Sequence, residues 1–274
     1  MTNRLSAPEV SLIVSTYNRP DALGLCLQSI ARQSVLPDEV IIGDDGSTEE
    51  TGKLIESFRR GFPVPLIHVW QEDRGFRLAM SRNRSVAAAR CEYIIEIDGD
   101  VILHRDFVAD HLYFARRGHF LKGGRVLLSR KRSETCCRSG KLPAFNLFSR
   151  GILRRLNALR CLCLSRWLAP RYRKNKFTAL GCNMSFWRDD FIRVNGYDEF
   201  FEGWGGEDYD FASRLTNCGI KRLTLKFSGI VYHLWHKESS QQHVAKNRQY
   251  YLHERNRKST RCTNGINLHL PPED

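Results

Sequence analysis

The short run Asp98-Gly99-Asp100 places two carboxylates on either side of a glycine. Glycine lets a ligand approach the backbone closely, so both carboxylates could face one point. Carboxylate oxygens are the ligands that Mg²⁺ and Mn²⁺ prefer, and both ions leave positions open for phosphate oxygens. An isolated Asp-Gly-Asp is also a common surface turn. The metal-site interpretation therefore depends on what surrounds it.

His233 and His236 lie three residues apart in the C-terminal half of the chain. An imidazole nitrogen is a borderline ligand that could complete a manganese site. A core or surface role is the alternative for such a pair. Of the two, His233 is the favoured ligand.

A second group of residues, Trp204-Gly205-Gly206-Glu207-Asp208, combines glycines, an indole and two carboxylates. The glycines allow close approach of a ligand, and the indole offers an apolar face to a sugar ring. Carboxylates at the start of a helix are favoured by its dipole. One carboxylate could accept a proton from a hydroxyl while the other holds the molecule that carries it. A plain helix cap would explain Asp208 but not Trp204 and the glycines.

The elements that must position these groups alternate between strand and helix. Short apolar runs predict strands over 10–16, 38–45, 66–70 and 92–97. Helical spacing predicts a first helix with Asp21 as its N-cap and further helices over 51–58 and 78–89. This alternation predicts an α/β fold with a mainly parallel sheet covered by helices on both faces. Ligands of such sheets bind at the carboxyl ends of the strands, where Thr16, Asp45 and Asp98 fall.

The C-terminal half continues with a helix from Asp189, a helix over 208–218 closed by Gly219, and a strand over 223–232. The tail after Lys237 is expected to form a helix that is packed on the domain or loosely draped over it.

The net charge of +13 is concentrated in residues 116–176, which hold eighteen Lys or Arg and one acid, Glu134. Such a segment attracts nucleic acid, anionic lipid or phosphorylated glycan. On a helix over 145–159, Phe145, Phe148, Ile152, Leu156 and Leu159 would form one apolar stripe, with Arg150 and Arg154 opposite and Arg155 and Arg160 flanking it. Such a helix would lie on an anionic membrane or cover the sheet. Residues 130–141 are a candidate for a mobile loop that closes over substrate.

Nine cysteines are scattered without the spacing of a disulfide scaffold or a zinc knuckle. No apolar run is long enough to cross a bilayer, and the start Met1-Thr2-Asn3-Arg4 is polar. The sequence therefore predicts a cytoplasmic protein, either free or peripheral on the inner face of the plasma membrane.

The run from Val10 to Asp45, with Ser15-Thr16-Tyr17-Asn18-Arg19-Pro20 and Asp44-Asp45-Gly46-Ser47, resembles the opening of family 2 glycosyltransferases of the GT-A fold. Asp98-Gly99-Asp100 resembles their Asp-X-Asp motif. The run from Gly203 to Asp208, followed by His233, is similar to the acceptor-side half of β-1,4-galactosyltransferases and bacterial chondroitin polymerases. The resemblance covers about residues 9–105 and 178–237.

The resemblance implies a Rossmann-like domain that binds a nucleotide sugar, and it implies roles for individual residues. Donor contacts would come from Ser15, Tyr17, Arg19, Asp45, Arg77, Arg82 and Asp98, with Tyr17 against the uracil and the two helix arginines near the diphosphate or else solvated. Asp98, Asp100 and His233 would hold Mn²⁺ or Mg²⁺. Trp204, Gly205, Gly206 and Glu207 would bind the acceptor, and Asp208 would be the catalytic base beside Glu207.

These roles imply an inverting, metal-dependent transfer of galactose, N-acetylgalactosamine or glucose from a UDP-sugar to a hydroxyl, forming a β-linkage. The acceptor would be a cell-surface glycan or lipid-linked saccharide such as lipopolysaccharide or lipooligosaccharide core, or capsule. One domain over 1–274 is expected, with a donor half (1–115), a basic helical insertion that contacts an anionic membrane surface (116–176), an acceptor half (177–240) and a basic tail (241–274).

Two other functions are compatible with parts of the sequence. A nucleotidyltransferase acting on sugar phosphates also uses carboxylates on a metal-bound nucleotide, but it leaves Trp204 to Asp208 without a role. A nucleic-acid-binding protein could use the basic segment. The chain has no recognisable nucleic-acid-binding motif, so no nucleic-acid partner is expected.

Overall fold

The computed structural model describes residues 7–171, 179–237 and 240–271. Residues 172–176 of the predicted basic insertion and 272–274 of the predicted tail therefore lie outside the described residues. None of the helices found in these ranges is long and apolar enough to span a bilayer.

Within the described residues, eleven strands form a large sheet and a small one. In chain order they are β1 (Val10–Thr16), β2 (Glu39–Asp44), β3 (Leu66–Trp70), β4 (Tyr93–Asp98), β5 (Val101–Leu103), β6 (His119–Lys122), β7 (Val126–Leu128), β8 (Ile152–Leu153), β9 (Met184–Trp187), β10 (Lys221–Thr224) and β11 (Val231–His233). The large sheet has the order β10-β6-β9-β4-β1-β2-β3, and the small sheet has the order β5-β11-β7-β8.

The large sheet is mainly parallel, as predicted. Strand β1 pairs in parallel with β2 and β4, β2 with β3, and β6 with β10. Only β9 runs against its neighbours, β4 and β6. The α/β fold class predicted from the alternation of elements is confirmed.

Helices cover both faces of this sheet. The helices of the described residues are α1 (Pro20–Ile30), α2 (Glu49–Arg59), α3 (Leu78–Ala88), α4 (Phe107–Phe114), α5 (Arg130–Ser139), α6 (Leu162–Leu168), α7 (Arg188–Arg193), α8 (Glu207–Asn217) and α9 (Val244–Asn256). Along β1, Leu12 and Val14 pack into a core with Leu23 of α1, whereas Ile13 packs into a second core with Phe211 of α8. Because both faces are buried, β1, β2 and β4 carry apolar residues at successive positions rather than at alternate ones.

The predicted N-cap of the first helix was wrong. Helix α1 begins at Pro20 with Arg19 in the cap position, and Asp21 lies in the first turn. Proline suits this place because its fixed φ is helical and its missing N–H would have had no partner there. The Asp21 carboxylate instead pairs with Arg19 Nε at 3.1 Å.

The basic insertion also differs from the predictions. Residues 145–159 do not form one helix, because Gly151 and Arg154 take positive φ angles of 82° and 55°. The chain forms β8 there, followed by a 3₁₀ turn over Arg155–Ala158. Residues 130–141 are not a loop either, since they form α5, capped by the Ser129 hydroxyl, which accepts a hydrogen bond from the Arg132 N–H.

In the C-terminal half, the single strand predicted over 223–232 is divided into β10 and β11 by a turn in which Phe227 has a φ of 65°. The tail forms α9 and is packed rather than draped. Tyr250 donates a hydrogen bond to Asp198 Oδ2 at 2.9 Å, and its ring stacks on Phe200 with centroids 3.8 Å apart.

Candidate functional site

The carboxyl ends of β1, β2 and β4 bring the predicted strand-end residues side by side. Ser15 lies opposite Asp98 in the register of β1 and β4, and Thr16 lies opposite Asp44 in that of β1 and β2. The sequence prediction that these ends share one edge of the sheet is confirmed.

The outer end of this edge has an exposed aromatic ring above a buried carboxylate. Tyr17 is 46% exposed and donates its hydroxyl to Asp73 Oδ2 at 2.9 Å. Asp45 is buried and accepts hydrogen bonds from Gln71 Nε2 at 2.6 Å and from the backbone N–H of Arg77 at 2.8 Å. Burial raises the pKa of Asp45 to about 6. An aromatic face beside a fixed acceptor is an arrangement that can hold a nucleobase.

Asp98 and Asp100 point to different partners. Asp100 Oδ1 lies 3.6 Å from His233 Nε2, and Asp100 Oδ2 lies 3.1 Å from His236 Nε2. Ligand atoms of these three side chains lie within 4.8 Å of one another. Asp98 is outside this group, and its Oδ1 accepts from Arg82 Nη2 at 3.3 Å. Both histidines, not only the favoured His233, therefore approach Asp100.

These three side chains fit a divalent cation. Asp100 Oδ1 is buried and has no hydrogen-bond donor among the described residues. Burial lowers the pKa of His233, and the neighbouring charge of Arg125 acts in the same direction. The imidazole is therefore neutral at physiological pH, which is the form that binds metal. One carboxylate and two imidazoles suit Mn²⁺ better than Mg²⁺, which prefers oxygen ligands alone.

Arg82 lies at the centre of the site rather than in solvent. It is 2% exposed and faces four carboxylates: Glu96 at 3.0 Å, Asp98 at 3.3 Å, Asp208 at 2.9 Å and Glu207 at 3.4 Å. Burial raises the pKa of Glu96 to about 7 although the Arg82 charge opposes the shift. A buried arginine that shares several carboxylates fixes their positions relative to one another.

The loop before α8 presents Trp204 and the two acids. Gly206, at a φ of 110°, turns the chain directly into the helix, and a Cβ there would meet the Phe201 ring at 2.7 Å. Trp204 is 51% exposed. Asp208 Oδ2 accepts from the Gly181 N–H at 2.7 Å, while Oδ1 faces Arg82. Burial and the Asp208 charge raise the pKa of Glu207 to about 8.

The tail holds this loop in place. Asn247 of α9 is 1% exposed, and its amide nitrogen donates to the carbonyls of Glu202 at 3.0 Å and Gly205 at 2.9 Å. A cavity of about 270 Å³ lies beside Trp204, between the loop from Arg74 to Arg77 and the tail at His243. The structure thus places a sugar-sized cavity beside Trp204, on the loop that leads into the two acids of α8.

Two other predicted donor residues lie at the rim. Arg19 pairs with Asp21, and the Arg77 side chain donates to the Glu72 carbonyl. Sequence reasoning did not identify the central position of Arg82, the tail residue Asn247 or the exposed Arg125. Arg125 follows two glycines at the end of β6, which was a usable signal, and its charge acts on both Asp98 and His233.

Comparison with known proteins gives two family matches. Residues 11–135 match the model described as glycosyl transferase family 2, and residues 163–237 match the one described as the N-terminal domain of galactosyltransferase. Validoxylamine A glucosyltransferase of Streptomyces hygroscopicus subsp. limoneus is 31% identical over 235 residues, which cover 78% of this chain and 49% of that protein. Chondroitin synthase of Escherichia coli is 24% identical, covering 77% of this chain and 32% of its own. The chain thus spans about half the length of the first relative and a third of the second.

Solved structures share the fold. The mannosyltransferase PcManGT from Pyrobaculum calidifontis, in complex with GDP-Man and Mn²⁺, aligns with a TM-score of 0.60 and 19% identity, covering 95% of this chain and 66% of its own. GalNAc-T7 with UDP, GalNAc and Mn²⁺ aligns with a TM-score of 0.65 and 17% identity, covering 91% and 48%. The chain therefore has the GT-A architecture that the sequence predicted.

Proposed function

We propose that this chain, whose residues 11–135 match the model of glycosyl transferase family 2, is an inverting, metal-dependent hexosyltransferase that uses a UDP-sugar. The observation that carries the proposal is the bridge made by Arg82 between Asp98, at the predicted donor end, and Asp208, at the predicted acceptor end. Through that bridge the Asp208 carboxylate, the proposed base, would lie beside the anomeric carbon of a bound donor.

The nucleotide would bind at the ends of β1 and β2. The exposed ring of Tyr17 would stack on uracil, and Asp45 would accept a hydrogen bond from the nucleoside. Ser15 and Asp98 would contact the ribose side, and Arg19 and Arg77 would lie near the diphosphate. Asp100, His233 and His236 would hold Mn²⁺ or Mg²⁺, which when bound would stabilise the charge of the departing UDP. Asp98 would supply a further ligand.

The acceptor would bind in the cavity beside Trp204, and we infer that it extends from there along the backbone of Gly205 and Gly206 toward Asp208. Glu207 carries a proton at neutral pH because its pKa is about 8, so it can donate a hydrogen bond to the acceptor. Asp208 would take the proton from the acceptor hydroxyl, whose oxygen then attacks the anomeric carbon as the bond to UDP breaks. Attack from the face opposite UDP turns an α-linked donor into a β-linked product.

We infer galactose, N-acetylgalactosamine or glucose as the transferred sugar. The acceptor would be a cell-surface glycan or lipid-linked saccharide of the lipopolysaccharide, lipooligosaccharide or capsule type, met at the cytoplasmic face of the membrane. Two relatives with names of this class, a glucosyltransferase and a chondroitin synthase, support hexose transfer. No observation favours a nucleotidyltransferase or nucleic-acid binding.

A donor-hydrolysis panel tests the proposal. The purified chain is incubated with UDP-galactose, UDP-N-acetylgalactosamine, UDP-glucose and GDP-mannose, with Mn²⁺ or with EDTA, and released nucleotide is measured. We expect UDP release from one of the UDP-sugars that needs Mn²⁺ and stops in EDTA. Release of pyrophosphate, or turnover that EDTA leaves unchanged, would contradict the proposal.

A further inference from the structure

Exposed apolar side chains are concentrated in one short part of the basic insertion. Of the fifteen large hydrophobic residues that are exposed among the described residues, six lie between positions 148 and 167. We call these six the apolar patch: Phe148, Leu153, Leu156, Leu159, Leu164 and Trp167. Phe148 is 81% exposed and Leu156 is 70% exposed, which is far more than a side chain covering a sheet would be. Such clustering marks an interaction surface.

The charged residues within the patch segment, 148–167, are all arginines. Arg150, Arg154, Arg155 and Arg166 are exposed and form no ion pair within the part of the chain that the structure describes. The sequence contains no acidic residue between Glu134 and Asp189. The patch therefore combines large apolar side chains with arginines that no neighbouring carboxylate neutralises.

The exposure is not that of a detached loop. Arg160 holds the segment by pairing with Asp110 at 2.6 Å, and the Ser165 hydroxyl lies 2.6 Å from that of Ser228. Ile152 and Ser165, which lie between patch residues, are buried. The segment is therefore anchored on its inner side, and its apolar side chains are held in water. Exposing apolar surface to water is unfavourable in free energy, and a partner that covered the patch would remove that penalty.

The middle of the patch segment, at Leu153 and Asn157, lies close to the candidate metal site. In the small sheet, Leu127 of β7 is the register partner of both Leu153 and His233. Leu153 and His233 are thus two strand spacings apart, about 10 Å. The next turn is also tied to the site, because Asn157 Nδ2 donates to the Arg125 carbonyl at 3.2 Å. A surface that binds the patch would therefore come close to the mouth of the site.

We propose that the apolar patch and its arginines dock on an anionic lipid bilayer. The aromatic and leucine side chains would enter the interface, and the arginines would meet the phosphates of the headgroups. Docking would hold the site at the membrane surface, where a lipid-linked saccharide presents its hydroxyl. The binding itself follows from the patch, and only the identity of the acceptor rests on the proposed function.

Most of the patch lies between the two parts of the chain that match family models. Residues 136–162 fall between the two family matches, which end at 135 and resume at 163. Most of the patch therefore belongs to a segment that neither family model describes.

Vesicle sedimentation tests the docking. The full chain is mixed with vesicles of phosphatidylcholine alone or of phosphatidylcholine with phosphatidylglycerol, and bound protein is measured after centrifugation. We expect binding to the anionic vesicles that weakens as salt is raised, and little binding to the neutral ones. The combined variant F148S/L156S/W167S should lower the affinity by roughly tenfold or more, because three inserted side chains are lost. The arginine variant R150S/R154S/R155S should lower it as well.

Matched controls come from exposed residues elsewhere. Leu252→Ser and Leu268→Ser remove exposed apolar side chains of the tail, and Lys53→Ser removes an exposed charge of α2. These variants should bind vesicles as the unchanged chain does. Circular dichroism and thermal unfolding establish that each variant is folded.

Three results would overturn the docking: equal binding to neutral vesicles, unchanged binding of the patch variants, or self-association in lipid-free solution that the patch variants abolish. Donor hydrolysis measured in the same samples separates this inference from the proposed function. Patch variants should retain UDP release in full. If the unchanged chain binds anionic vesicles but releases no UDP from any donor, the proposed transferase activity is refuted and the docking is not.

Discussion

Arg82 Nη1 lies 2.9 Å from Asp208 Oδ1, although the two residues are 126 positions apart in the chain. The same guanidinium reaches Asp98 Oδ1 with Nη2, at 3.3 Å. One buried side chain therefore sets the distance between the donor end and the acceptor end of the site. A change at Arg82 should alter the reaction more than it alters the binding of either substrate.

Arg82→Lys tests the positioning role of that guanidinium. Lysine keeps the charge but cannot face four carboxylates, so Arg82→Lys should lower kcat by about 10² or more while changing the UDP-sugar Kd much less. Arg84→Lys, on the same helix, is the matched control. A Kd that rises as steeply as kcat falls would show that Arg82 acts on the donor instead.

Gly181→Ala is a second test of the Arg82 guanidinium. A Cβ at Gly181 would lie 2.0 Å from Arg82 Nη2, so Gly181→Ala should displace the guanidinium without altering any charge. We expect a loss of kcat in the direction of Arg82→Lys, with a lower Tm because a buried ion-pair cluster is disturbed. Steady-state kinetics and thermal unfolding measure the two effects, and unchanged kcat would argue against the positioning role.

Asp208→Asn tests the base. The amide cannot accept the proton, so transfer should fall by roughly 10² to 10⁴. Donor binding, measured by calorimetry with UDP and Mn²⁺, should persist because the amide oxygen can still face Arg82. Transfer at the unchanged rate would refute the assignment.

Variants of the two histidines test whether both bind the metal. His233→Ala and His236→Ala should each raise the Mn²⁺ concentration needed for half-maximal UDP release by at least about tenfold. His253→Ala, at an exposed position in α9, should leave it unchanged. If only His233→Ala has an effect, the ligand set favoured by the sequence alone is the better one.

The raised pKa of Glu207 leads us to expect a pH-dependent activity. Its pKa is raised to about 8, so the carboxyl carries its proton below that pH and ionises above it. Acceptor kcat/KM should therefore decline above about pH 8 as the hydrogen-bond donor is lost and a charge appears beside Asp208. Glu207→Gln keeps a neutral donor at all pH values and should abolish this decline while retaining activity at pH 7. A decline of equal size in the variant would assign it to another group.

The sequence predicted the architecture and the strand-end residues well because both depend on local patterns. Strand β3 has the predicted bounds, and Asp100 and His233 meet as expected. Sequence patterns gave wrong predictions where contacts between distant parts of the chain determine the structure. Residues 145–159 have helical spacing, yet Gly151 and the pairing of β8 with β7 give a strand and a turn. Likewise, helical spacing could not show that Arg82 is buried, since Glu96, Glu207 and Asp208 come from other elements.

Strand β9 lies between β4 and β6, although it follows both in the chain by more than sixty residues. A fragment that ended after α4 would keep the predicted nucleotide-binding residues but would leave the edge of β4 without its hydrogen-bonded neighbour. Such an open, apolar edge recruits other strands. We therefore expect the donor half, expressed alone, to aggregate, so that a chimera exchanging acceptor halves must include β9 with the piece it replaces.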